Sequence, residues 1–266
     1  MPPRLFISHH KDWNDETIAR ATAAGYSVTV GKLDNVDLSA FDAIVPFHLG
    51  CQRVVREWIA SGRTAAALVV SQEAEDLCHD KLAFNRRAIS LGFGRHIPQI
   101  IQPGQVSKAD FPLILKHRND AWGSLSRIVH NSEDIVFFTA EDNEYFLQRY
   151  IPGSEEYATH LLLKDGRIMF HATHLYRWAR TPYVQGRHDQ PPAGEWLETT
   201  PALETFERLL GAIGYRSGSC CIDYRLVNDI PLIFEINPRF GGSLIHRLGD
   251  YLHAYVGALT SPCPAD

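Results

Sequence analysis

One apolar stretch near the C-terminal end, residues 232–243, constrains the fold of this chain more than any other part of the sequence. It carries Glu235 and Asn237 one strand repeat apart among apolar side chains, and Pro-Arg-Phe-Gly-Gly-Ser follows directly. Side chains alternate across a strand, so we expect Glu235 and Asn237 to share a face with Ile233, and Phe234 to lie on the other. Oxygen-bearing side chains on one face suit a hard cation that bridges phosphate oxygens. A solvated edge strand would show the same pattern, so this stretch alone does not distinguish an edge strand from a cation site.

A partner strand for this stretch is predicted over residues 220–227, with a turn around Asn228-Asp229-Ile230. A three-residue turn would set Asp223 directly opposite Glu235, whereas a two-residue turn would set Asp223 opposite Phe234 and disperse the site. Two facing carboxylates repel each other unless a cation lies between them. With a three-residue turn, Asp223, Glu235 and Asn237 would converge, and a magnesium site that holds nucleotide phosphates would supply the missing cation.

Composition excludes several classes of protein. The 266 residues are 45% hydrophobic and 21% charged, which is typical of a soluble globular chain. The net charge is −5 and no basic run is present, so we do not expect a nucleic-acid partner. Five cysteines without a C-x-x-C pair indicate neither a disulfide framework nor a cysteine zinc site. The sequence shows no signal peptide and no long apolar span, so we expect a cytoplasmic protein that does not enter a membrane.

Short apolar runs alternate with helical spacing over the first 72 residues. The predicted strands cover 5–8, 26–30, 43–47 and 66–70, and the predicted helices cover 15–24 and 52–60. This order indicates a small parallel α/β sheet, and without a G-x-G-x-x-G after the first strand it carries no nicotinamide or flavin site. A polar stretch ending at residue 76 marks a domain boundary. Beyond it we predict a mixed α+β region with helices over residues 81–91 and 201–213. It also contains an irregular, lid-like loop near 176–198.

Two further segments carry residues that suit a nucleotide. Lys116 ends an apolar strand, and a glycine-containing loop follows at residues 120–127. Such a lysine beside free backbone N–H groups can hold phosphates, although a lysine at a strand end more often protects a solvated sheet edge. Residues 146–157 join two strands through a Pro-Gly turn, where exposed backbone could bind a flat base and an acid could bind ribose hydroxyls. An ordinary connection with solvated glutamates would look the same.

Taken in order, these segments resemble the ATP-grasp superfamily, of the carboxylate–amine ligase type, over about residues 78–259. The matching segments are Asp80-Lys81, Leu113-Ile114-Leu115-Lys116, Gly123-Ser124-Leu125-Ser126-Arg127, Gln148-Arg149-Tyr150-Ile151-Pro152-Gly153, Cys221-Ile222-Asp223-Tyr224 and Phe234-Glu235-Ile236-Asn237-Pro238-Arg239. The resemblance implies an α+β ATP-grasp fold over residues 77–266, with ATP between two α+β lobes. It also implies a short N-terminal Rossmann-like α/β domain over residues 1–76.

The resemblance further implies a reaction and a set of roles. ATP and Mg²⁺ would activate a small-molecule carboxylate, which we expect to be an amino acid or peptide, as an acylphosphate that an amine attacks. The implied catalytic residues are Arg239 and Lys116, and the implied magnesium ligands are Asp223, Glu235 and Asn237. The implied nucleotide contacts are Lys81, Lys116, Gly123, Ser124, Ser126, Arg127, Gln148, Arg149, Tyr150, Ile151 and either Glu155 or Glu156. Arg177 or Arg180 could pair with the substrate carboxylate. A small-molecule kinase and a non-catalytic ATP-binding module remain alternatives, and a homodimer is left open.

Overall fold

Three β-sheets and their flanking helices organise the computed structural model, which describes residues 1–34, 36–120, 123–135, 144–184 and 192–261. The strands are β1 (Arg4–Ser8), β2 (Ser27–Gly31), β3 (Ala43–Val45), β4 (Ile100–Ile101), β5 (Leu113–His117), β6 (Arg127–Val129), β7 (Tyr145–Arg149), β8 (Glu155–Lys164), β9 (Arg167–Arg177), β10 (Ala193–Trp196), β11 (Gly218–Val227) and β12 (Ile230–Asn237). The helices are α1 (Asn14–Ala23), α2 (Leu49–Ala60), α3 (Gln72–His79), α4 (Lys81–Ala88), α5 (Leu203–Ala212) and α6 (Leu248–Thr260).

The N-terminal sheet has the order β2-β1-β3 and is parallel throughout, as the alternating pattern of strands and helices predicts. The predicted fourth strand at residues 66–70 is wrong. Its amides are bonded to side chains instead, since Leu68 N–H donates to Tyr255 Oη at 2.7 Å and Val70 N–H donates to Gln52 Oε1 at 3.1 Å. Those bonds tie this run to α6 and α2, and Ile44 N–H of β3 donates to Ala66 O at 2.8 Å without extending the ladder.

The two larger sheets are antiparallel and contain strands β4 to β12. One has the order β10-β9-β8-β11-β12, and the other has the order β4-β7-β5-β6. Helices α4 and α5 cover one face of the five-stranded sheet, where Phe84 and Phe206 pack with Ile222 and Tyr224 of β11. Because side chains alternate along a strand, Asp223 lies on the opposite face of the same sheet. Helix α6 packs on part of that second face, at Leu162 and Phe170, and the rest of the face is the floor of the cleft.

Two helices were not predicted from the sequence. Ser71 caps α3 by accepting a hydrogen bond from Ala74 N–H at 3.2 Å, and the predicted domain boundary at residue 76 falls inside this helix. Helix α6 buries Tyr251 and Tyr255 in a core that also contains Leu5 of β1. None of the helices in the described part of the chain is long and apolar enough to cross a membrane.

The segment predicted to be an irregular lid is partly regular. Strand β9 continues to Arg177, and β10 pairs with β9 in antiparallel register. Residues 185–191 of this segment lie outside the described residues. The described parts therefore include two paired strands, and Tyr183 and Val184 line the cleft.

Candidate functional site

A cleft between the four-stranded and the five-stranded sheet brings together most of the residues predicted from the sequence. The predicted residues that line it are Lys81, Lys116, Gly123, Ser126, Gln148, Arg149, Tyr150, Ile151, Glu156, Asp223, Glu235, Asn237 and Arg239. The predicted residues that do not line it are Ser124, Arg127, Glu155, Arg177 and Arg180. Residues that the sequence reasoning missed also line it, notably His160, Tyr176, Tyr183, Arg225 and Ser243.

The turn that joins β11 to β12 is shorter than predicted. Val227 pairs with Ile230, so the turn contains Asn228 and Asp229 alone, and the predicted three-residue turn is wrong. Both turn residues have positive φ, 50° for Asn228 and 61° for Asp229. Two successive residues in this region characterise the two-residue hairpin turns that match the twist of the strands, and Asn and Asp tolerate it better than most side chains.

A β-bulge in β12 restores the pairing that the shorter turn would have lost. Tyr224 pairs with Ile233, but Asp223 pairs with Glu235, so Phe234 is an extra residue in the ladder. A bulge of one residue reverses the alternation of side chains from that point onward. The prediction that Asp223 lies opposite Glu235 is therefore confirmed, although the turn geometry behind it was not.

The bulge also changes which side chains face the cleft. Ile233 is fully buried in the core together with Ile236, whereas Phe234 lines the cleft beside Glu235. The predicted placement of Ile233 on the face of Glu235 is wrong because it assumed unbroken alternation. In addition, the Phe234 carbonyl accepts a hydrogen bond from Lys116 Nζ at 2.9 Å, which connects the two sheets across the cleft.

The two carboxylates and the amide form a compact, buried group. Asn237 Nδ2 donates to Asp223 Oδ2 at 3.0 Å and to Glu235 Oε1 at 2.8 Å. Burial and repulsion from Glu235 raise the pKa of Asp223 well above its usual range. Burial acts on Glu235 in the same sense, but the charges of Lys81 and Lys116 outweigh it and lower the pKa of Glu235 to about 2. The surrounding residues thus balance one negative charge here but not two.

Lys81 connects this group to the glycine-containing loop. Its Nζ donates to both the backbone O and Oδ1 of Asp120 at 2.6 Å, and lies 3.3 Å from Glu235 Oε2. Asp120 also accepts from Leu125 N–H at 3.1 Å and from Ser126 Oγ at 3.3 Å. Burial opposes the charge of Lys81, but Glu235 and Asp120 outweigh it and raise the pKa of Lys81. The ammonium group and the loop are therefore held beside the carboxylate pair.

Lys116 is a buried lysine that loses its proton more readily than an exposed one. Burial lowers its pKa to about 8, because the attraction of Glu235 does not compensate for desolvation and for the nearby charge of Lys81. A buried lysine of this kind gains from an anion placed beside it, since an opposite charge favours the protonated form. Lys116 therefore has the character of a phosphate ligand.

The roof of the cleft is built by β5 and β7. Ile114 pairs with Gln148, and both side chains line the cleft with Lys116. Gln148 is 1% exposed and donates from Nε2 to Pro98 O at 2.9 Å. A fixed amide above an apolar wall suits the edge and the face of a planar base.

Of the two adjacent glutamates, the structure brings Glu156 to the cleft. Neighbouring residues of β8 face opposite sides, so Glu155 points outward and pairs with Arg177 at 3.1 Å. Arg177 also hydrogen-bonds to Glu195 of β10, so its partners lie on the exposed surface of the sheet. Arg180 is exposed and does not line the cleft, so neither arginine is placed where the sequence predicts a substrate contact.

Glu156 lies in a cluster that the sequence did not predict. Arg225 is 3% exposed, hydrogen-bonds to the Ile151 carbonyl and places Nη2 at 3.5 Å from Glu156 Oε2. Tyr183 Oη donates to the same carboxylate oxygen at 2.9 Å, and the Arg225 guanidinium lies 4.4 Å from the Tyr183 ring centre. These contacts fix Glu156 at the end of the cleft where Tyr150 and Ile151 approach. Alternation along the strand predicts that Arg225 shares the face of Asp223, but it does not indicate that Arg225 meets Glu156.

The opposite end of the cleft places an uncharged imidazole and two hydroxyl groups beside the Arg239 guanidinium. His160 Nε2 lies 2.8 Å from Ser243 Oγ, and Tyr176 shares a hydrogen bond with Ser243. Burial lowers the pKa of His160 to about 3, so the imidazole stays uncharged at neutral pH. A Cβ on Gly241 would lie 2.5 Å from His160 Nδ1, so this close approach requires glycine. Arg239 also lines the cleft and donates from Nη1 to the Phe240 carbonyl at 3.0 Å.

No protein-family model matches the chain, and no curated protein is significantly similar to it in sequence. Solved structures do match. A D-alanine–D-alanine ligase from Bacillus anthracis in complex with ATP aligns over 97% of this chain and 95% of that chain, at 14% identity and a TM-score of 0.62. An L-amino acid ligase from Bacillus licheniformis aligns over 91% of this chain and 68% of that chain, also at 14% identity and a TM-score of 0.62.

A third match is an N5-carboxyaminoimidazole synthase from Aspergillus clavatus in complex with ADP and 5-aminoimidazole ribonucleotide. It aligns over 99% of this chain and 78% of that chain, at 14% identity and a TM-score of 0.62. The chain has the ATP-grasp fold. At 14% identity these matches show the fold alone, and the chemistry of this chain depends on the residues in the cleft.

Proposed function

We propose that the chain is an ATP- and Mg²⁺-dependent ligase that joins the carboxylate of a small molecule to an amine and releases ADP and phosphate. The observation that carries this proposal is the convergence of Asp223, Glu235 and Asn237 in the same cleft as Lys81 and Lys116. Phosphoryl transfer requires positioning and neutralisation of charge more than a covalent catalyst, and this group supplies both.

The donor set fits Mg²⁺. Two carboxylates and one amide offer the hard oxygen ligands that this ion prefers. The raised pKa of Asp223 marks a second negative charge that the protein does not balance by itself, and a divalent cation would balance it. Among the described residues no three His, Cys, Asp or Glu side chains form a metal cluster, so phosphate oxygens and water would complete the coordination. When bound, Mg²⁺ would neutralise and orient the phosphates.

The remaining roles follow from position along the cleft. Lys81 and Lys116 would hold phosphate oxygens, and Arg239 would face the transferred phosphoryl group. Glu156 would accept hydrogen bonds from ribose hydroxyls, and the backbone at Gln148–Ile151 would meet the base. A substrate carboxylate oxygen would attack the γ-phosphorus with ADP as leaving group. An amine would then attack the acyl carbon, lose a proton and displace phosphate.

The nature of the substrates is proposed from the end of the cleft beyond the carboxylate pair. His160, Ser243 and Tyr176 offer neutral hydrogen-bonding groups there, and Arg239 offers one fixed positive charge. These groups suit an amino acid or a short peptide, and two of the neighbouring structures are named for ligating amino acids. A cytoplasmic location, a homodimer and the division into residues 1–76 and 77–266 remain predictions.

The test is the release of ADP and phosphate by the purified protein while panels of amino acids, peptides and amines are added. Glu235→Gln should lower turnover by at least about 100-fold, because loss of a metal ligand removes more than the 10–100-fold typical of its outer-shell partners. Glu155→Gln, an outward-facing carboxylate on the same sheet, is the matched control and should retain activity. A phosphorylated product found by mass spectrometry would indicate a kinase instead, and nucleotide binding without turnover on any panel would indicate a non-catalytic module.

A further inference from the structure

Gln52 connects the N-terminal sheet region to the turn that follows β12, between the proposed metal ligand Asn237 and Arg239. It lies on α2, is 2% exposed and donates from Nε2 to Pro238 O at 2.6 Å. Its Oε1 accepts from Val70 N–H at 3.1 Å. A backbone carbonyl can only accept and a backbone N–H can only donate, so these two partners fix the orientation of the amide.

The carbonyl that Gln52 holds is the middle of a tight turn. Arg239 N–H donates to Asn237 O at 2.8 Å, which closes a three-residue turn around Pro238. Proline has no N–H, so its carbonyl is the single main-chain group of Pro238 that can form a hydrogen bond. A rotation of the turn would move the side chains of Asn237 and Arg239 together, since they flank the held carbonyl.

A second contact from the same part of the chain supports the loop. The Phe47 ring, which follows β3, stacks on Phe240 with ring centres 4.3 Å apart. Phe47 N–H in turn donates to Ser8 Oγ at 2.8 Å, at the end of β1. The carboxyl ends of two parallel strands and the first turn of α2 therefore brace residues 237–240 from one side.

We propose that Gln52 is a positioning residue, whose amide holds the 237–239 turn so that Asn237 faces the bound cation and Arg239 faces the transferred group. This inference rests on the proposed function of the cleft. It makes the N-terminal sheet region a part of the metal site, although none of its own residues is a ligand. Partners of this kind typically contribute 10–100-fold to metal affinity.

The test is the Mg²⁺ dependence of AMP-PNP binding, measured by titration calorimetry on the full chain. Gln52→Met keeps the length of the side chain but removes both hydrogen bonds, and it should raise the apparent Kd for Mg²⁺ about tenfold. AMP-PNP binding in EDTA should change less than twofold. In the Asn237→Ala background the same substitution should have no further effect on the Mg²⁺ dependence, because Gln52 acts through that turn.

Tyr255→Phe is the matched control. Tyr255 Oη accepts from Leu68 N–H and donates to Ile44 O, both at 2.7 Å, so it makes buried links to the N-terminal region that do not touch the turn. It should lower Tm and leave the Mg²⁺ dependence unchanged. Gln52→Glu, which keeps the acceptor for Val70 N–H, replaces Gln52→Met if that variant does not fold.

The outcomes separate the two proposals. If the Gln52 variants change the Mg²⁺ dependence no more than Tyr255→Phe does, Gln52 is a structural link and the inference is wrong, while the proposed function stands. If the unmodified protein binds no Mg²⁺ with AMP-PNP, the proposed function fails and the positioning role fails with it.

Discussion

Substitutions of the two facing carboxylates should change stability in opposite directions. Glu235 is held ionised beside Lys81 and Lys116, with its pKa lowered from 4.5 to about 2. A lowered pKa of a carboxyl contributes stability above the ordinary value that is lost as the pH falls through the lowered one. The shift corresponds to about 3 kcal/mol at neutral pH. Glu235→Gln should remove that contribution and lower Tm by about 5–10 °C.

Asp223 is expected to respond in the reverse sense. Burial and the charge of Glu235 raise its pKa, so in the ligand-free protein its ionised form opposes folding at neutral pH. Asp223→Asn removes that charge and keeps an acceptor oxygen for the Asn237 amide, which should raise Tm by about 2 °C or more. Residues that serve function at a cost in stability respond in this way.

The assay is scanning calorimetry of both variants and the unmodified protein, at pH 7 and without ligand, followed by the same scans with Mg²⁺ and AMP-PNP. The ligands should raise Tm of the unmodified protein and should raise it much less for either variant. Equal destabilisation by Asp223→Asn and Glu235→Gln would refute the opposite directions of the two pKa shifts. A full ligand-induced shift in Asp223→Asn would refute its role as a ligand.

Three further predictions concern the walls of the cleft. The pKa of Lys116 is about 8, so the affinity for AMP-PNP, measured by calorimetry, should fall about tenfold per pH unit above that value. Lys116→Arg should remove this pH dependence, because arginine stays protonated. A pH-independent affinity in the unmodified protein would contradict this. Glu156→Gln should raise the Kd for AMP-PNP about tenfold, since hydrogen bonds to charged groups contribute about 1.5–3 kcal/mol, whereas Glu155→Gln should leave it unchanged. Arg177→Ala removes exposed ion pairs, so it should change the unfolding free energy by less than about 1 kcal/mol and leave nucleotide affinity unaltered; a large loss of affinity would return Arg177 to the binding site.

Much of the fold could be predicted because its apolar periodicity is strong. The first three strands and their parallel order follow from buried runs separated by helical spacing. Residues 66–70 have the same apolar character, but their amides bond to Gln52 and Tyr255, which are distant in the sequence. Periodicity records which side chains are buried and not which groups satisfy the backbone, so this failure could not have been avoided from the pattern alone.

The sequence could predict the site residues that belong to a recognisable motif. It could not predict which of two neighbouring residues enters the cleft where tertiary contacts decide this. Glu155 and Glu156 differ by a single step in β8, and the cross-strand pair with Arg177 distinguishes them in the structure. Arg225 and Tyr183 reach the cleft from separate segments. Alternation from Asp223 places Arg225 on the cleft face, but nothing local indicates that Arg225 and Tyr183 meet at Glu156. Side chains on opposite sides of a fold meet through register, which short-range patterns do not encode.

The bulge at Phe234 has a consequence for how this hairpin can vary. The turn of Asn228 and Asp229 is one residue short for the required pairing, and the bulge adds one residue back, so the two irregularities cancel at Asp223 and Glu235. Lengthening the turn by one residue, or removing the bulge, would by itself shift the ladder by one residue and separate the two carboxylates. Insertions and deletions in this hairpin are therefore tolerated in compensating pairs, and a related chain with a longer turn would hold the same site on an unbulged strand.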